Sequence, residues 1–250
     1  MRRIALLAAW SLFAIAPAAF AGTIKIEVVM FRSGSETISG YLATPDSPGR
    51  HPGLLVLHGD GGLTDWVKEQ TRKFAARGYV ALAVDFYRGR LGYDPEIAYN
   101  LVTSTPPARA YQDMEAAIHY LIARPDVNKD KIGSVGWSVG GKWSLLLAAN
   151  DPFLAACVSN YGSVLTNPAD IQKIHAPILG IYGADDQYVS KDDVEAFDDA
   201  MTGAHKSFDM KIYRGAGHDF EDSENKLGFQ EGTAEDAWRL TLAFLDQHLK

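Results

Sequence analysis

One serine in this chain lies in a setting that is typical of a catalytic nucleophile. Ser138 is at the centre of the stretch Gly136-Trp137-Ser138-Val139-Gly140-Gly141, which follows an apolar run and opens a helical pattern. A serine in such a G-x-S-x-G turn is held in a strained backbone conformation, with its hydroxyl exposed above the sheet. Because a side chain two residues before or after it would collide with so tight a turn, the glycines have a steric role. We therefore expect Ser138 to be a nucleophile.

A nucleophilic serine needs a base and a group that orients the base, and both occur later in the chain. His218 lies in the glycine-rich loop 215–220, after a strand pattern, and is the best candidate base. Asp185 and Asp186 follow an earlier strand, and either carboxylate could hold the imidazole. His58 ends the strand pattern of 53–58, and we expect it to pack or form hydrogen bonds beneath the site. The order serine, acid, histidine is that of α/β-hydrolases.

Backbone N–H groups close to the serine are expected to stabilise the negative charge of a tetrahedral intermediate. We expect this oxyanion hole to consist of the N–H groups of Val139 and Asp60, with Gly61 as the alternative to Asp60. Five aromatic side chains are candidates for the walls of a substrate pocket: Trp66, Tyr87, Trp137, Tyr161 and Tyr188. Of these, we assign Tyr87, Trp137 and Tyr188 to substrate binding.

The elements that must position these residues alternate between strands and helices. Short apolar runs at 53–58, 79–85, 131–137, 155–161 and 177–182 alternate with helical patterns at 65–77, 107–123, 139–149, 191–202 and 234–248. The segments 23–31 and 37–43 are typical of an antiparallel hairpin added at one edge. This alternation predicts an α/β-hydrolase fold, with a mostly parallel central sheet flanked by helices on both faces. Ligands of such sheets bind at the carboxyl ends of the strands.

Composition limits the other functions that the chain could have. The 250 residues include 47% hydrophobic and 22% charged residues, which is enough apolar material for one large core, and we expect a single domain over 22–250. The net charge of −7 argues against nucleic acid as a partner. Cys157 is the only cysteine, so no internal disulfide can form, and we expect it to be buried. The acidic loop at 218–222 has no metal-ligand spacing, so we expect neither a metal nor a cofactor.

The N-terminus predicts export of the chain. Residues 1–21 contain two arginines, an apolar run from Ile4 to Ala16 and the motif Ala19-Phe20-Ala21, which together are typical of a secretory signal peptide. An uncleaved membrane anchor is the alternative, but the run is shorter than the roughly 20 residues that a membrane span needs. We expect a periplasmic or secreted protein with no membrane span after cleavage.

From Thr37 to Leu249 the chain resembles the dienelactone hydrolase family. The resemblance rests on Asp85-Phe86-Tyr87-Arg88, the elbow GWSVGG, the pattern G-x-x-D-x-x-V at 183–189, and GAGHDF. It implies that Asp186 is the acid of the triad. The best-known members have cysteine at the position of Ser138, glutamate at that of Gly59 and arginine at that of Asp222. The resemblance therefore implies that a carboxylate substrate would be repelled, unless Arg88 or Arg90 supplies a positive charge.

These observations predict a serine hydrolase that cleaves small-molecule carboxylic esters through a Ser-His-Asp triad. The elbow also resembles those of secreted polyester and lipid hydrolases and of prolyl-oligopeptidase-like peptidases, so a peptidase or amidase is the alternative. A third hypothesis is a non-catalytic binding protein on the same fold. We expect residues 88–109, which include Pro106-Pro107, to cover the site. The sequence leaves the oligomeric state open.

Overall fold

An eight-stranded sheet forms the centre of the computed structural model, which describes residues 23–250. The predicted signal peptide, residues 1–21, lies outside the described residues. The strands of the sheet are β1(Ile24–Ser33), β2(Glu36–Pro45), β3(His51–Leu57), β4(Val80–Val84), β5(Val127–Trp137), β6(Leu154–Asn160), β7(Ile178–Gly183) and β8(Phe208–Tyr213). They lie in the order β1-β2-β4-β3-β5-β6-β7-β8. The pairs β1/β2 and β2/β4 are antiparallel, and the other pairs are parallel.

Helices cover both faces of this sheet. They are α1(Asp65–Ala76), α2(Pro95–Thr103), α3(Pro107–Ile122), α4(Val139–Asn150), α5(Pro168–Lys173), α6(Lys191–Gly203) and α7(Glu231–Leu249). Because side chains alternate along a strand, Leu54 and Val56 of β3 pack in the core under α1 and α7, while Leu55 and Leu57 pack in the core under α3 and α4. All four are fully buried. The predicted mostly parallel sheet with helices on both faces is confirmed.

The structure adds two helices that the sequence patterns did not predict. Helix α2 lies inside the segment 88–109, and only Leu101 of its nine residues is buried. A helix of nine residues with so small a buried face gives only a weak periodic signal in the sequence. Its start is fixed instead by Asp94, whose carboxylate accepts a hydrogen bond from the Ile97 N–H at 2.9 Å. Helix α5 has only six residues, which is too short for a recognisable period.

The topology brings three loops to one edge of the sheet. Strands β5, β7 and β8 run parallel within the same sheet and end at Trp137, Gly183 and Tyr213. The residues that follow them therefore lie at the same edge, where ligands of such sheets bind. Cys157 lies within β6 and is fully buried, as predicted. Within residues 23–250, no helix is both long enough and apolar enough to cross a membrane.

Candidate active site

Ser138 occupies a strained turn between β5 and α4. Its φ of 53° and ψ of −120° place a residue with a side chain in a region that costs about 1–3 kcal/mol. The Ser138 N–H donates to the Asn160 carbonyl at 3.0 Å and helps to hold this conformation. A Cβ on Gly136 would collide with the Gly140 carbonyl oxygen, and a Cβ on Gly140 with the Leu57 carbonyl oxygen. The two glycines therefore allow the turn that exposes the serine.

The structure brings three of the predicted site residues into hydrogen-bond contact. His218 Nε2 lies 2.8 Å from Ser138 Oγ, and His218 Nδ1 lies 2.7 Å from Asp186 Oδ2. The other carboxylate oxygen of Asp186 accepts from the N–H groups of Tyr188 and Val189, at 2.8 and 3.1 Å. Both oxygens of Asp186 are thus satisfied, and the carboxylate is fixed towards the imidazole. This is the geometry in which a serine hydroxyl can be deprotonated by a histidine.

The contacts of Asp186 and His218 shift both of their pKa values. Burial raises the pKa of Asp186, but the hydrogen bonds from His218 and the backbone outweigh it, so the pKa is lowered. Burial lowers the pKa of His218, but the hydrogen bond to Asp186 and the charge of Asp219 outweigh it, so the pKa is raised. Asp185, the other acid that the sequence left open, bonds through its backbone N–H to the Ala216 carbonyl at 2.9 Å. The histidine contact is therefore made by Asp186.

The carboxylate of Asp60 is a second acceptor for the serine hydroxyl. Its Oδ1 atom lies 3.0 Å from Ser138 Oγ, which also has His218 Nε2 within reach. The hydroxyl has a single proton, so it can donate to only one of the two at a time. Donation to Nε2 is the arrangement that general-base catalysis requires. Sequence reasoning assigned Asp60 for its backbone N–H and missed its side chain, whose direction depends on the loop conformation.

The backbone around Asp60 fits its predicted place in an oxyanion hole. The Gly62 N–H donates to the Gly59 carbonyl at 3.1 Å, so Asp60 and Gly61 are the central residues of a turn, and their N–H groups do not form its hydrogen bond. Val139 is the first residue of α4, where N–H groups have no acceptor within the helix. The assignment of Val139 and Asp60 as oxyanion donors stays a prediction.

His58 lies directly beneath this turn. Its ring is fully buried, its Nδ1 lies 2.8 Å from the Gly59 carbonyl, and the Phe86 N–H donates to its Nε2 at 3.3 Å. Since Nε2 accepts, the proton is on Nδ1 and the imidazole is neutral. Burial lowers the pKa of His58 to about 4, which keeps it neutral at physiological pH. The histidine thus connects β3 and β4 to the loop that carries Asp60.

A cavity of about 400 Å³ opens above the serine. Its walls include Ser138, His218 and Tyr188, and one side is formed by α2 through Tyr99 and Val102. Residues of the segment 88–109 therefore line this cavity. Tyr188 is 81% exposed at its mouth. Since α2 was not recognised in the sequence, its contribution to the pocket was missed.

Two of the three aromatic residues assigned to substrate binding need correction. Tyr87 and Trp137 are buried and do not line the cavity. The Tyr87 ring packs edge-on against His58 at 4.6 Å, and the Trp137 ring packs against Trp66 at 5.0 Å. Aromatic rings bury large areas, and here the core offers them more contact than the pocket does. Tyr161, an alternative wall residue, does line the cavity.

Among residues 23–250, the surroundings of the triad contain no cluster of metal-ligating side chains, and Arg88 and Arg90 make other contacts. Within the described residues, no group of three or more metal-ligating side chains is found. Arg88, considered as a carboxylate-binding group, forms ion pairs with Glu36 and Asp113, both at 2.7 Å. Arg90 lies in a separate cleft beside α2 and donates to the Tyr87 carbonyl at 3.2 Å. Neither arginine lines the cavity above the serine.

Comparisons with known proteins show what this chain is similar to. The model of the dienelactone hydrolase family matches residues 38–249. The "Probable 2-oxo-3-(5-oxofuran-2-ylidene)propanoate lactonase" of Bradyrhizobium sp. is 30% identical over 240 residues, covering 91% of this chain and 96% of that protein.

Solved structures of similar proteins have the same fold. A dienelactone hydrolase-like promiscuous phosphotriesterase from metagenomic libraries superimposes with a TM-score of 0.85 at 23% identity, covering 92% of this chain and all of that one. An alpha/beta hydrolase from a Medee basin deep-sea metagenome has a TM-score of 0.68 at 16% identity, covering 92% of this chain and 99% of that one. The predicted α/β-hydrolase fold is therefore confirmed.

Proposed function

We propose that this chain, which belongs to the dienelactone hydrolase family, is a serine hydrolase that cleaves small-molecule carboxylic esters through an acyl-enzyme. Family membership makes the chain a hydrolase; the ester substrate and the covalent mechanism are the proposal. One observation carries it: His218 contacts both Ser138 Oγ, at 2.8 Å, and Asp186 Oδ2, at 2.7 Å. A histidine held between a serine and a carboxylate is the arrangement that activates a nucleophile for acyl transfer.

The mechanism follows from the positions of these groups. His218 Nε2 takes the proton of Ser138 as Oγ attacks the ester carbonyl, and Asp186 stabilises the imidazolium that forms. The N–H groups of Val139 and Asp60 stabilise the oxyanion, each contributing about 2.7–4 kcal/mol. The imidazolium then protonates the leaving alcohol. A water molecule, deprotonated by His218, hydrolyses the acyl-enzyme and restores the serine.

We also propose that the enzyme acts outside the cytoplasm. The pattern of residues 1–21, with two arginines, an apolar run and Ala19-Phe20-Ala21, supports cleavage before Gly22. The expected result is a mature periplasmic or secreted protein that begins at Gly22 and has the mass of residues 22–250. A membrane-bound protein of full-length mass would contradict export by cleavage.

Labelling with a fluorophosphonate tests the catalytic serine. We expect intact-mass spectrometry to show a single adduct on the wild-type protein and on Ser207→Ala, a control at an exposed serine, and none on Ser138→Ala or His218→Ala. Circular dichroism establishes that each variant is folded. A folded wild-type protein without an adduct would refute the triad and favour the binding-protein hypothesis.

A matched substrate pair then separates ester from amide cleavage. We expect p-nitrophenyl acetate to be hydrolysed much faster than p-nitroacetanilide, relative to their uncatalysed rates, because an amide needs protonation of a poorer leaving group. A higher relative rate on the anilide would favour the peptidase hypothesis instead. Neither rate should survive in Ser138→Ala.

A further inference from the structure

A second cavity, of about 580 Å³, adjoins the catalytic cavity, and its charged side chains are all acidic. The two cavities share Asp60 and Asp219, so a molecule bound at Ser138 can extend from one into the other. The acidic side chains that line the second cavity are Asp60, Asp65, Asp94, Asp219, Asp222 and Glu224. No lysine, arginine or histidine lines it among the residues that the structure describes.

Little positive charge from the protein reaches this acidic cleft. Among the described residues, Asp65 forms an ion pair with Lys68 at 3.0 Å, and Asp219 has a weak contact with His218 at 4.0 Å. Asp60, which lies closest to the nucleophile, has no ion-pair partner within residues 23–250. The cleft therefore carries a negative charge that a bound molecule can neutralise.

An independent feature of the catalytic cavity is a buried hydroxyl that has no partner within the described residues. Tyr161 lines this cavity and is fully buried, yet its hydroxyl has no hydrogen-bond partner in the described part of the chain. An unpaired buried hydroxyl is unfavourable, so a substrate that forms a hydrogen bond to it is stabilised. The rings of Tyr99 and Tyr188, 68% and 81% exposed, line the same cavity. Aromatic faces of this kind can pack against the apolar part of an ester.

The position of Asp60 creates a specific electrostatic problem for catalysis. Its carboxylate contacts Ser138 Oγ, while its own N–H is proposed to stabilise the oxyanion. A negative charge a few ångströms from a developing negative charge opposes the reaction, and the same carboxylate competes with His218 for the serine proton. A cation on the substrate would remove both effects, because it would pair with Asp60 and leave the serine hydroxyl to the imidazole.

We propose that the preferred substrates are esters with an ammonium group a few bonds from the scissile carbonyl, and that Asp60 determines this specificity. The inference rests on the proposed ester hydrolysis and names its substrate class. The ammonium lies at the junction of the two cavities, between Asp60 and Asp219, and the remainder of the ester lies against Tyr99 and Tyr188. Lys142, which also lines the catalytic cavity, lies on α4, one turn after the nucleophile. Its positive charge opposes binding of a cation at that end of the cavity.

Two pairs of isosteric esters test the proposal. Acetylcholine and 3,3-dimethylbutyl acetate differ only in a positive charge on the alcohol. Betaine ethyl ester and ethyl 3,3-dimethylbutanoate differ in the same way on the acyl group. We expect kcat/KM for the charged member of at least one pair, divided by its uncatalysed rate, to exceed that of its neutral isostere by about tenfold or more, the factor that ~1.4 kcal/mol produces. Whichever pair shows the effect identifies the side of the ester that faces Asp60.

The variant Asp60→Asn connects this preference to the carboxylate. It removes the charge while keeping a side chain of the same shape, so we expect the ratio of charged to neutral kcat/KM to fall towards one. Asp199→Asn, a change at an exposed acid on α6 outside both cavities, controls for net charge and should keep the wild-type ratio. Taking ratios within each variant cancels any change in general catalytic efficiency.

Three outcomes would overturn the inference. They are equal rates on charged and neutral esters, a preference for the cationic ester that survives in Asp60→Asn, and cleavage of 3-acetoxypropanoate, a carboxylate-bearing ester, that is faster than cleavage of the cationic esters. A different result would refute the proposed function itself. If the neutral esters are not cleaved and the fluorophosphonate gives no adduct, the serine mechanism itself is wrong. If the neutral esters are cleaved without a preference for charge, only the substrate class is wrong.

Discussion

Acid should destabilise this protein through His58, by an amount that follows from its burial. The pKa of a free histidine is about 6.5, and burial lowers that of His58 to about 4. Between these values the unfolded chain binds a proton that the folded protein excludes, so stability is lost as the pH falls from about 6.5 to about 4. At ~1.4 kcal/mol for each tenfold difference in proton affinity, the full loss is ~3 kcal/mol. Below pH 4 both states are protonated and His58 adds no further loss.

Urea unfolding at several pH values, with His58→Gln as the reference, isolates this contribution. The glutamine can retain hydrogen bonds to the backbone of Gly59 and Phe86, but it does not titrate. Between pH 7 and pH 4 we expect the free energy of unfolding to fall by ~3 kcal/mol more in the wild-type protein than in the variant, because the other titrating groups are common to both. His119→Gln, at an exposed histidine, should leave the wild-type pH dependence unchanged. A difference between wild type and His58→Gln that is constant with pH would refute the reasoning.

Two further predictions concern Asp186 and the ion pair between Arg88 and Asp113. Asp186→Asn removes the carboxylate charge, which in the wild-type protein orients His218 and raises the pKa of its imidazole. We expect kcat to fall by about 10⁴-fold and the acid limb of the pH–rate profile to move to lower pH. An unchanged acid limb would show that this contact does not set the pKa of His218. Arg88→Met leaves the carboxylate of Asp113, whose side chain is 1% exposed, without its cation. Thermal unfolding should show that the free energy of unfolding falls by about 3–5 kcal/mol. Adding Asp113→Asn to the same chain should restore part of that stability. A fall below 1 kcal/mol would mean that other donors satisfy Asp113.

The triad residues could be located from the sequence because their positions depend on topology. Ser138, Asp186 and His218 each follow an apolar strand of one parallel sheet, and the carboxyl ends of such strands meet at one edge. The glycines around Ser138 add a local signal, since only a tight turn requires them. Neither argument needs the direction of any other side chain. That is why the sequence predicted which residues meet, although their roles in catalysis await the labelling experiment.

The pocket could not be predicted in the same way, because its walls depend on packing. Tyr87 follows β4 and Trp137 is the last residue of β5, both at the correct edge, yet their rings turn into the core against His58 and Trp66. Tyr188, in the same part of the fold, turns outwards. Nothing in the spacing of these aromatic residues distinguishes the two outcomes, since each depends on whether neighbouring elements leave room for a ring.

Asp60 shows most clearly how the structure changes a prediction of function. From the sequence, the residue offered a backbone N–H and a glycine-rich turn; in the structure its carboxylate lies 3.0 Å from the nucleophile and at the junction of two cavities. Asp222, at the position where the best-known members of the family have arginine, lines the same acidic cleft. Both carboxylates make the surroundings of the serine more negative, and Arg88 forms ion pairs with Asp113 and Glu36. The fold is thus that of the family, while the charge around Ser138 supports the proposed preference for a cationic ester.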